Sequence, residues 1–284
     1  MSQSDRVPAT VGVYGGGRMG AGIAYAFLLA GATVRIIESS AETVEAARGR
    51  VAGSAAKAEQ RGTLPASATE ILSRLVVTTD AAQLRACALV IEAVPEDLDL
   101  KRRVLREVEQ VATDAVLATN TSSLSVDDLA RHLARPERFV GLHFFNPVPA
   151  SELVEVVVGA RTAPDLVEQA QVWVAALGKT AITVTNSPGF ASSRLGVALA
   201  VEAMRMVEQG VASVQDIDTA MTLGYKHPLG PLKTTDVVGL DVRLAIAEQL
   251  ARELGDRFEP PAILRELVAA GHLGRKTGKG FYDW

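Results

Sequence analysis

The chain has one cysteine, Cys87, so an internal disulfide is excluded and a reducing compartment is favoured over an oxidising one. Cys87 is expected in the core. No apolar run approaches the ~20 residues that cross a bilayer; the longest, Ile23 to Ala30 and Val197 to Val201, are far shorter. The segment before the first apolar run at Val11 carries Asp5 and Arg6 and no hydrophobic stretch to act as an export signal, so a cytoplasmic protein without membrane association is expected. Charge of one sign is also lacking. The 29 Lys and Arg against 33 Asp and Glu give a net charge of -4, which leaves no basic field broad enough for nucleic acid. With 48% hydrophobic and 22% charged residues, disordered and fibrous classes are excluded as well.

What is present reads as two domains. A length of 284 residues, at about one domain per 150 residues, points to that number. From Thr10 to about Val184, short β-branched runs alternate with helical patterns, as βαβ units on a parallel sheet require. Strands are predicted at Val11–Tyr14, Thr33–Ile37, Val76–Thr78, Leu89–Glu92, Val116–Ala118, Phe139–Leu142, Val154–Val158 and Ile182–Val184, with helices such as Ala41–Gln60 and Leu98–Val111 between them. The fold class is therefore α/β, with a doubly wound parallel sheet. The turn-forming stretch Asn186-Ser187-Pro188-Gly189 ends this pattern and sets a boundary between residues 1–186 and 187–284. Beyond it lie helices broken at Pro228, Pro231 and Pro260-Pro261. The helix predicted over Ser192–Gln209 carries apolar residues on nearly every face, including Leu195, Leu199 and Val207, and has to be covered. Because so small a domain buries limited area alone, this helix is expected to pack on the first domain and on a second subunit, making a homodimer.

The first chemistry-bearing motif is Gly15-Gly16-Gly17-Arg18-Met19-Gly20, a G-x-G-x-x-G between a strand and a helix. Gly15 permits the tight turn, Gly17 lets a pyrophosphate approach the backbone, and Gly20 lets the helix approach the strand, while the helix N-terminus offers amide donors. Glu38 ends the second strand, where a carboxylate accepts hydrogen bonds from a ribose 2′-hydroxyl and repels a 2′-phosphate. NAD is thus expected over NADP, with Arg35 directed away from the site.

Longer motifs follow: Glu92-Ala93-Val94-Pro95-Glu96-Asp97-Leu98 with Lys101, Thr119-Asn120-Thr121-Ser122-Ser123-Leu124, Gly141-Leu142-His143-Phe144-Phe145-Asn146-Pro147-Val148-Pro149, and Leu153-Val154-Glu155-Val156. The second domain adds Pro188-Gly189-Phe190, Asp216-Ile217-Asp218, Gly230-Pro231, Asp236-Val237-Val238-Gly239-Leu240-Asp241 and the terminal Lys276-Thr277-Gly278-Lys279-Gly280-Phe281-Tyr282. Across almost its whole length the chain resembles the short-form 3-hydroxyacyl-CoA dehydrogenase family, which includes bacterial 3-hydroxybutyryl-CoA dehydrogenases. The resemblance implies a Rossmann domain followed by an all-helical dimerisation domain. It also implies oxidation of (S)-3-hydroxyacyl-CoA to 3-ketoacyl-CoA, a step of fatty acid β-oxidation, with NAD and without a metal.

The chemistry agrees. Removing hydride from a carbinol carbon requires a base for the hydroxyl proton, and His is the natural group near neutral pH. His143 follows a strand and is expected at a carboxyl end of the sheet, where ligands bind. Glu155, 12 residues later, is expected to hold one ring nitrogen and stabilise the imidazolium. Ser122 is expected to hydrogen-bond the substrate oxygen, with helix capping as its alternative role. His132, His227 and His272 have no supporting partners in the sequence and are taken as structural. The resemblance further implies that Glu96, Lys101, Ser122, Asn146 and Lys276 line the NAD site. It places Ser54 and Arg61 against CoA, seven residues apart on one helix, with Lys57 a nearby substitute. The chain departs from the family at Ser193, where an asparagine near the substrate is usual; serine has a shorter reach and one donor hydrogen, so a water or a different acyl group is expected to compensate. Two alternatives stand beside this reading: an NAD-dependent dehydrogenase of a non-CoA hydroxy acid, and a catalytically silent NAD-binding protein.

Overall fold

A computed structural model describes residues 7–284; the features read at Asp5 and Arg6 lie outside the described residues. The chain divides into two compact units, one ending at Ser187 and the other spanning Pro188–Trp284.

The first unit is built on strands β1 (Thr10–Tyr14), β2 (Thr33–Ile37), β3 (Leu75–Thr78), β4 (Leu89–Glu92), β5 (Val116–Thr119), β6 (Phe139–Phe144), β7 (Leu153–Val158) and β8 (Thr180–Thr185). They form one eight-stranded sheet in the order β3-β2-β1-β4-β5-β6-β7-β8. The helices of the unit are α1 (Arg18–Leu29), α2 (Ala41–Gln60), α3 (Ala68–Leu72), α4 (Leu98–Val111), α5 (Val126–Ala130) and α6 (Pro164–Ala176). The order reverses between β1 and β4, which is the doubly wound Rossmann arrangement and places the ligand crevice at the carboxyl ends of those strands. Most strand pairs are parallel, and the central strands are mainly apolar, as burial on both faces requires: β4, β5 and β6 have no exposed residue.

One pairing differs from an all-parallel sheet. β6 and β7 run antiparallel, with His143 directly opposite Glu155, while β7 and β8 are again parallel. Only residues 145–152 join β6 to β7, and a parallel crossover needs a dozen or more. The short connection therefore forces the reversal.

The second unit contains α7 (Ser192–Glu208), α8 (Val214–Thr219), α9 (Pro231–Val238), α10 (Leu240–Leu254) and α11 (Ala262–Ala269). Its core joins Ala200, Ala203 and Met204 of α7 to Leu232, Leu240 and Leu264. A second cluster joins Val197 and Val201 to Ala247, Leu250 and Phe258. Two buried carboxylates fasten the unit. Asp218 accepts the amides of Leu232 and Lys233 at 2.9 Å each, and Asp236 accepts those of Phe281 and Tyr282 and the indole N–H of Trp284, all at 2.9 Å. Leu195 of α7 stays 70% exposed, so the helix expected to be apolar all round is not fully covered within one chain. No helix among the described residues is long and apolar enough to cross a membrane.

Candidate active site

Two cavities open at the carboxyl ends of the central strands. The larger, about 760 Å³, begins at the glycine turn and is bordered by Gly15, Gly17, Met19, Glu38, Ala93 and Val94, among others. Gly15 adopts φ +96°, a conformation costly for any residue with a Cβ, and its N–H donates to the Ile37 carbonyl at 2.9 Å. A Cβ on Gly20 would run into the Gly15 carbonyl oxygen, whereas one on Gly17 would meet nothing within 4 Å. Gly20 thus serves helix packing and Gly17 leaves open backbone toward the cavity. Gly17 also caps α1 without a side chain, so no side chain competes for the first-turn amides that a pyrophosphate would take. Glu38 lies immediately after β2, where its carboxylate accepts the Gly16 N–H at 2.6 Å. Arg50 of α2, which also borders the cavity, holds the same turn by donating to the Gly16 carbonyl at 3.2 Å. Arg35 lies elsewhere, donating to Gln83 at 2.5 Å. A glycine cradle open at Gly17 with a carboxylate beside it fits a dinucleotide.

The second cavity, about 340 Å³, brings together Met19, Glu96, Lys101, Asn120, Ser122, His143, Phe145 and Asn146. Antiparallel pairing sets His143 against Glu155, and the Glu155 carboxylate lies 2.6 Å from Nδ1 of the ring. His143 is 6% exposed and Glu155 fully buried. The Phe145 ring packs beside the imidazole with centroids 4.4 Å apart. A buried carboxylate on Nδ1 holds the ring in one orientation.

Lys101, 1% exposed, is the hub of the opposite wall. Its ammonium donates to Glu92 at 2.7 Å and to the Val94 carbonyl at 3.1 Å, and it lies 3.3 Å from Glu96. Glu92 also accepts the Val94 amide and the Thr119 hydroxyl, each at 2.7 Å. Burial pushes its carboxyl above the usual carboxylate range despite the Lys101 charge and these bonds. At Glu96 burial acts in the same direction, but the Lys101 charge and the bonds from Thr121, Ser123 and Ser122 outweigh it and hold the carboxyl below its ordinary value. Glu96 thereby organises the loop after β5, accepting the amides of Ser122 and Ser123 at 2.9 and 3.0 Å and the Thr121 hydroxyl at 2.6 Å. Ser122 caps no helix, since Ser125 is the N-cap of α5.

Two residues missed in the sequence join this network. Glu92 ties α4 to the ends of β4 and β5, and Asn120 accepts the Phe144 amide at 2.9 Å, fixing β6 beside β5. Both lie inside motifs quoted above, but their partners are non-local and only the sheet order reveals them. Of the other expected residues, Ser54 and Arg61 do not border either cavity. The Ser54 hydroxyl folds back onto the Arg50 carbonyl at 3.1 Å, and Arg61 is the exposed C-cap residue of α2. Ser193 and Lys276 belong to the second unit, where Lys276 donates to both Asp241 carboxylate oxygens at 2.6 Å. Burial raises the Asp241 carboxyl, but the Lys276 bond and charge and local amides leave it below its ordinary value.

Comparison with known proteins accords with this geometry. The 3-hydroxyacyl-CoA dehydrogenase NAD-binding domain matches residues 10–187, and the C-terminal domain of the same family matches residues 189–284. A 3-hydroxybutyryl-CoA dehydrogenase of Bradyrhizobium diazoefficiens is 39% identical over 96% of this chain and 94% of its own. A 3-hydroxyadipyl-CoA dehydrogenase of Escherichia coli is 39% identical over 97% of this chain and 59% of its own. The crystal structure of (S)-3-hydroxybutyryl-CoA dehydrogenase from Ralstonia eutropha superposes with a TM-score of 0.93 at 39% identity, covering 98% of this chain and 99% of that one. With both of its domains matched and the Bradyrhizobium and Ralstonia relatives aligned nearly end to end, the chain belongs to the 3-hydroxyacyl-CoA dehydrogenase family, whose first domain binds NAD.

Proposed function

We propose that this chain oxidises the 3-hydroxyl of an (S)-3-hydroxyacyl-CoA, 3-hydroxybutyryl-CoA or a close homologue, as a step of fatty acid β-oxidation. The observation that carries this reading is the buried His143–Glu155 pair at 2.6 Å, bordering the same cavity as Ser122, Lys101 and Asn146. NAD, when bound, supplies the hydride acceptor. His143 takes the hydroxyl proton on Nε2, and Glu155 stabilises the imidazolium that results. Ser122 hydrogen-bonds the substrate oxygen and orients the reacting carbon. The Glu96-centred hydrogen bonds support that role by holding the Ser122 loop rigid. Gly15, Gly17 and Gly20 shape the pyrophosphate cradle, and Glu38 takes the ribose hydroxyls. Glu96, Lys101, Asn146 and Lys276 complete the cofactor contacts.

The CoA moiety is proposed to run along α2, where Arg61 is exposed and makes no ion pair among the described residues, with Ser54 two turns back. Ser193 is proposed to face the acyl group through a water. The helical domain is proposed to form a homodimer, supported by the large apolar side chains Leu195, Leu223 and Tyr225, each 67–75% exposed, whose burial would be favourable.

The test is NADH formation followed by absorbance with (S)- and (R)-3-hydroxyacyl-CoA of several chain lengths and with free 3-hydroxybutyrate. Turnover confined to the (S)-thioesters is expected. Equal turnover of the free acid would replace this reading with a dehydrogenase of non-CoA hydroxy acids.

A further inference from the structure

The larger cavity does not end in an apolar wall. Besides Glu38 it is bordered by Tyr14 at the end of β1 and by Leu100, Arg103, Val104 and Glu107 on α4. Tyr14 donates its hydroxyl to Oε2 of Glu107 at 3.1 Å. Burial, then the Glu107 charge and hydrogen bond, push the Tyr14 phenol up to about 12, against a smaller opposing effect of Arg103. Tyr14 therefore stays a proton donor at neutral pH and pins one oxygen of the Glu107 carboxylate. Glu107 makes no other hydrogen bond among the described residues, and the Arg103 guanidinium makes none. The border of the cavity thus presents an anchored acceptor, Glu107, and a donor one helical turn away on α4, Arg103, together with the apolar Leu100, Val104 and Ile37.

A dinucleotide whose ribose is held at Glu38 must place its base beyond that residue. Adenine is flat and apolar on its faces, and one edge carries an amine donor next to a ring-nitrogen acceptor, the complement of Glu107 beside Arg103. Hypoxanthine and guanine carry a carbonyl and an N–H at the same positions, which would set a carbonyl oxygen against the carboxylate. We propose that Glu107, anchored by Tyr14, and Arg103 read the amine edge of adenine and give the cofactor site its base selectivity. This rests on the assignment of the cavity to NAD.

The test is equilibrium binding of NADH and of reduced nicotinamide hypoxanthine dinucleotide, measured by nicotinamide fluorescence and calorimetry. One charge-assisted hydrogen bond exchanged for a repulsion corresponds to roughly tenfold or more in Kd, so the native protein should bind NADH about tenfold tighter. In Glu107→Gln, whose amide can donate or accept, the ratio should fall to within about threefold, and in Tyr14→Phe, which keeps the carboxylate but frees it, the ratio should fall part of the way. Equal binding of the two dinucleotides by the native protein, which needs no variant to fold, would overturn the proposal. So would a ratio unchanged in Glu107→Gln. Failure to bind NADH at all would instead remove the cofactor assignment beneath it, and the two failures are distinct.

Discussion

Replacing Glu155 with Gln isolates the charge that stands behind His143. The two side chains are nearly isosteric, and the site is closed: Glu155 is fully buried between Val154 and Val156, which are also fully buried, and His143 is 6% exposed. The amide oxygen can still accept from Nδ1, so ring orientation is largely kept while the negative charge is lost. A hydrogen bond to a charged partner contributes about 1.5–3 kcal/mol, and it is needed most when the ring becomes cationic in the transition state. At ~1.4 kcal/mol per tenfold, kcat should fall about 10- to 150-fold. KM for substrate should change little, because the ground state keeps its contacts, and the Kd for NADH should stay within about twofold of the native value. Steady-state kinetics with (S)-3-hydroxybutyryl-CoA, paired with a fluorescence titration of NADH, separates these quantities. A folded Glu155→Gln protein with native kcat would refute the role given to the carboxylate.

Gly20→Ala should abolish measurable NADH binding and lower Tm, because the added methyl meets the Gly15 carbonyl oxygen and moves the cradle; titration calorimetry and a thermal melt check both. Glu38→Ala should narrow the NAD-over-NADP preference at least tenfold in kcat/KM by removing repulsion of the 2′-phosphate. Lys101→Met should destabilise the protein by about 3–5 kcal/mol, since it strands the buried Glu92 carboxylate, and denaturant unfolding should register the loss. Part of that loss should be recovered as pH falls through the raised Glu92 pKa, because a protonated Glu92 needs no cation; a deficit identical at every pH would contradict the pairing. Cys87 is 4% exposed, and burial pushes its thiol up to about 11, so at pH 8 it should react with a disulfide reagent only after denaturant is added.

Much of the architecture was legible because each strand is a short β-branched run ended by turn residues. The span predicted for α2, Ala41–Gln60, coincides with the helix found. The antiparallel β6–β7 pair was readable in principle from the short 145–152 connection, but hydrophobic runs carry no direction. That reversal is what makes a 12-residue separation between His143 and Glu155 a face-to-face pair. The glycine motif and Glu38 were legible because their geometry is local. Glu92 and Asn120 were not, since each acts by joining strands far apart in sequence. Tyr14 and Glu107 escaped for a related reason: 93 residues separate them, and Glu107 lies beside the buried stripe of Val104, Leu105 and Val108 rather than in it. Capping by Ser125 rather than Ser122 turned on where α5 begins, a boundary that local pattern fixes only to within a few residues.

The role of His143 as proton acceptor is tested most directly by a single-turnover measurement with enzyme in excess over (S)-3-hydroxybutyryl-CoA, comparing native protein with His143→Gln at saturating NAD. The rate of NADH formation should drop by roughly 100- to 10,000-fold, the contribution of a positioned general base, with NADH binding retained. A His143→Gln enzyme that forms NADH at the native rate would contradict it.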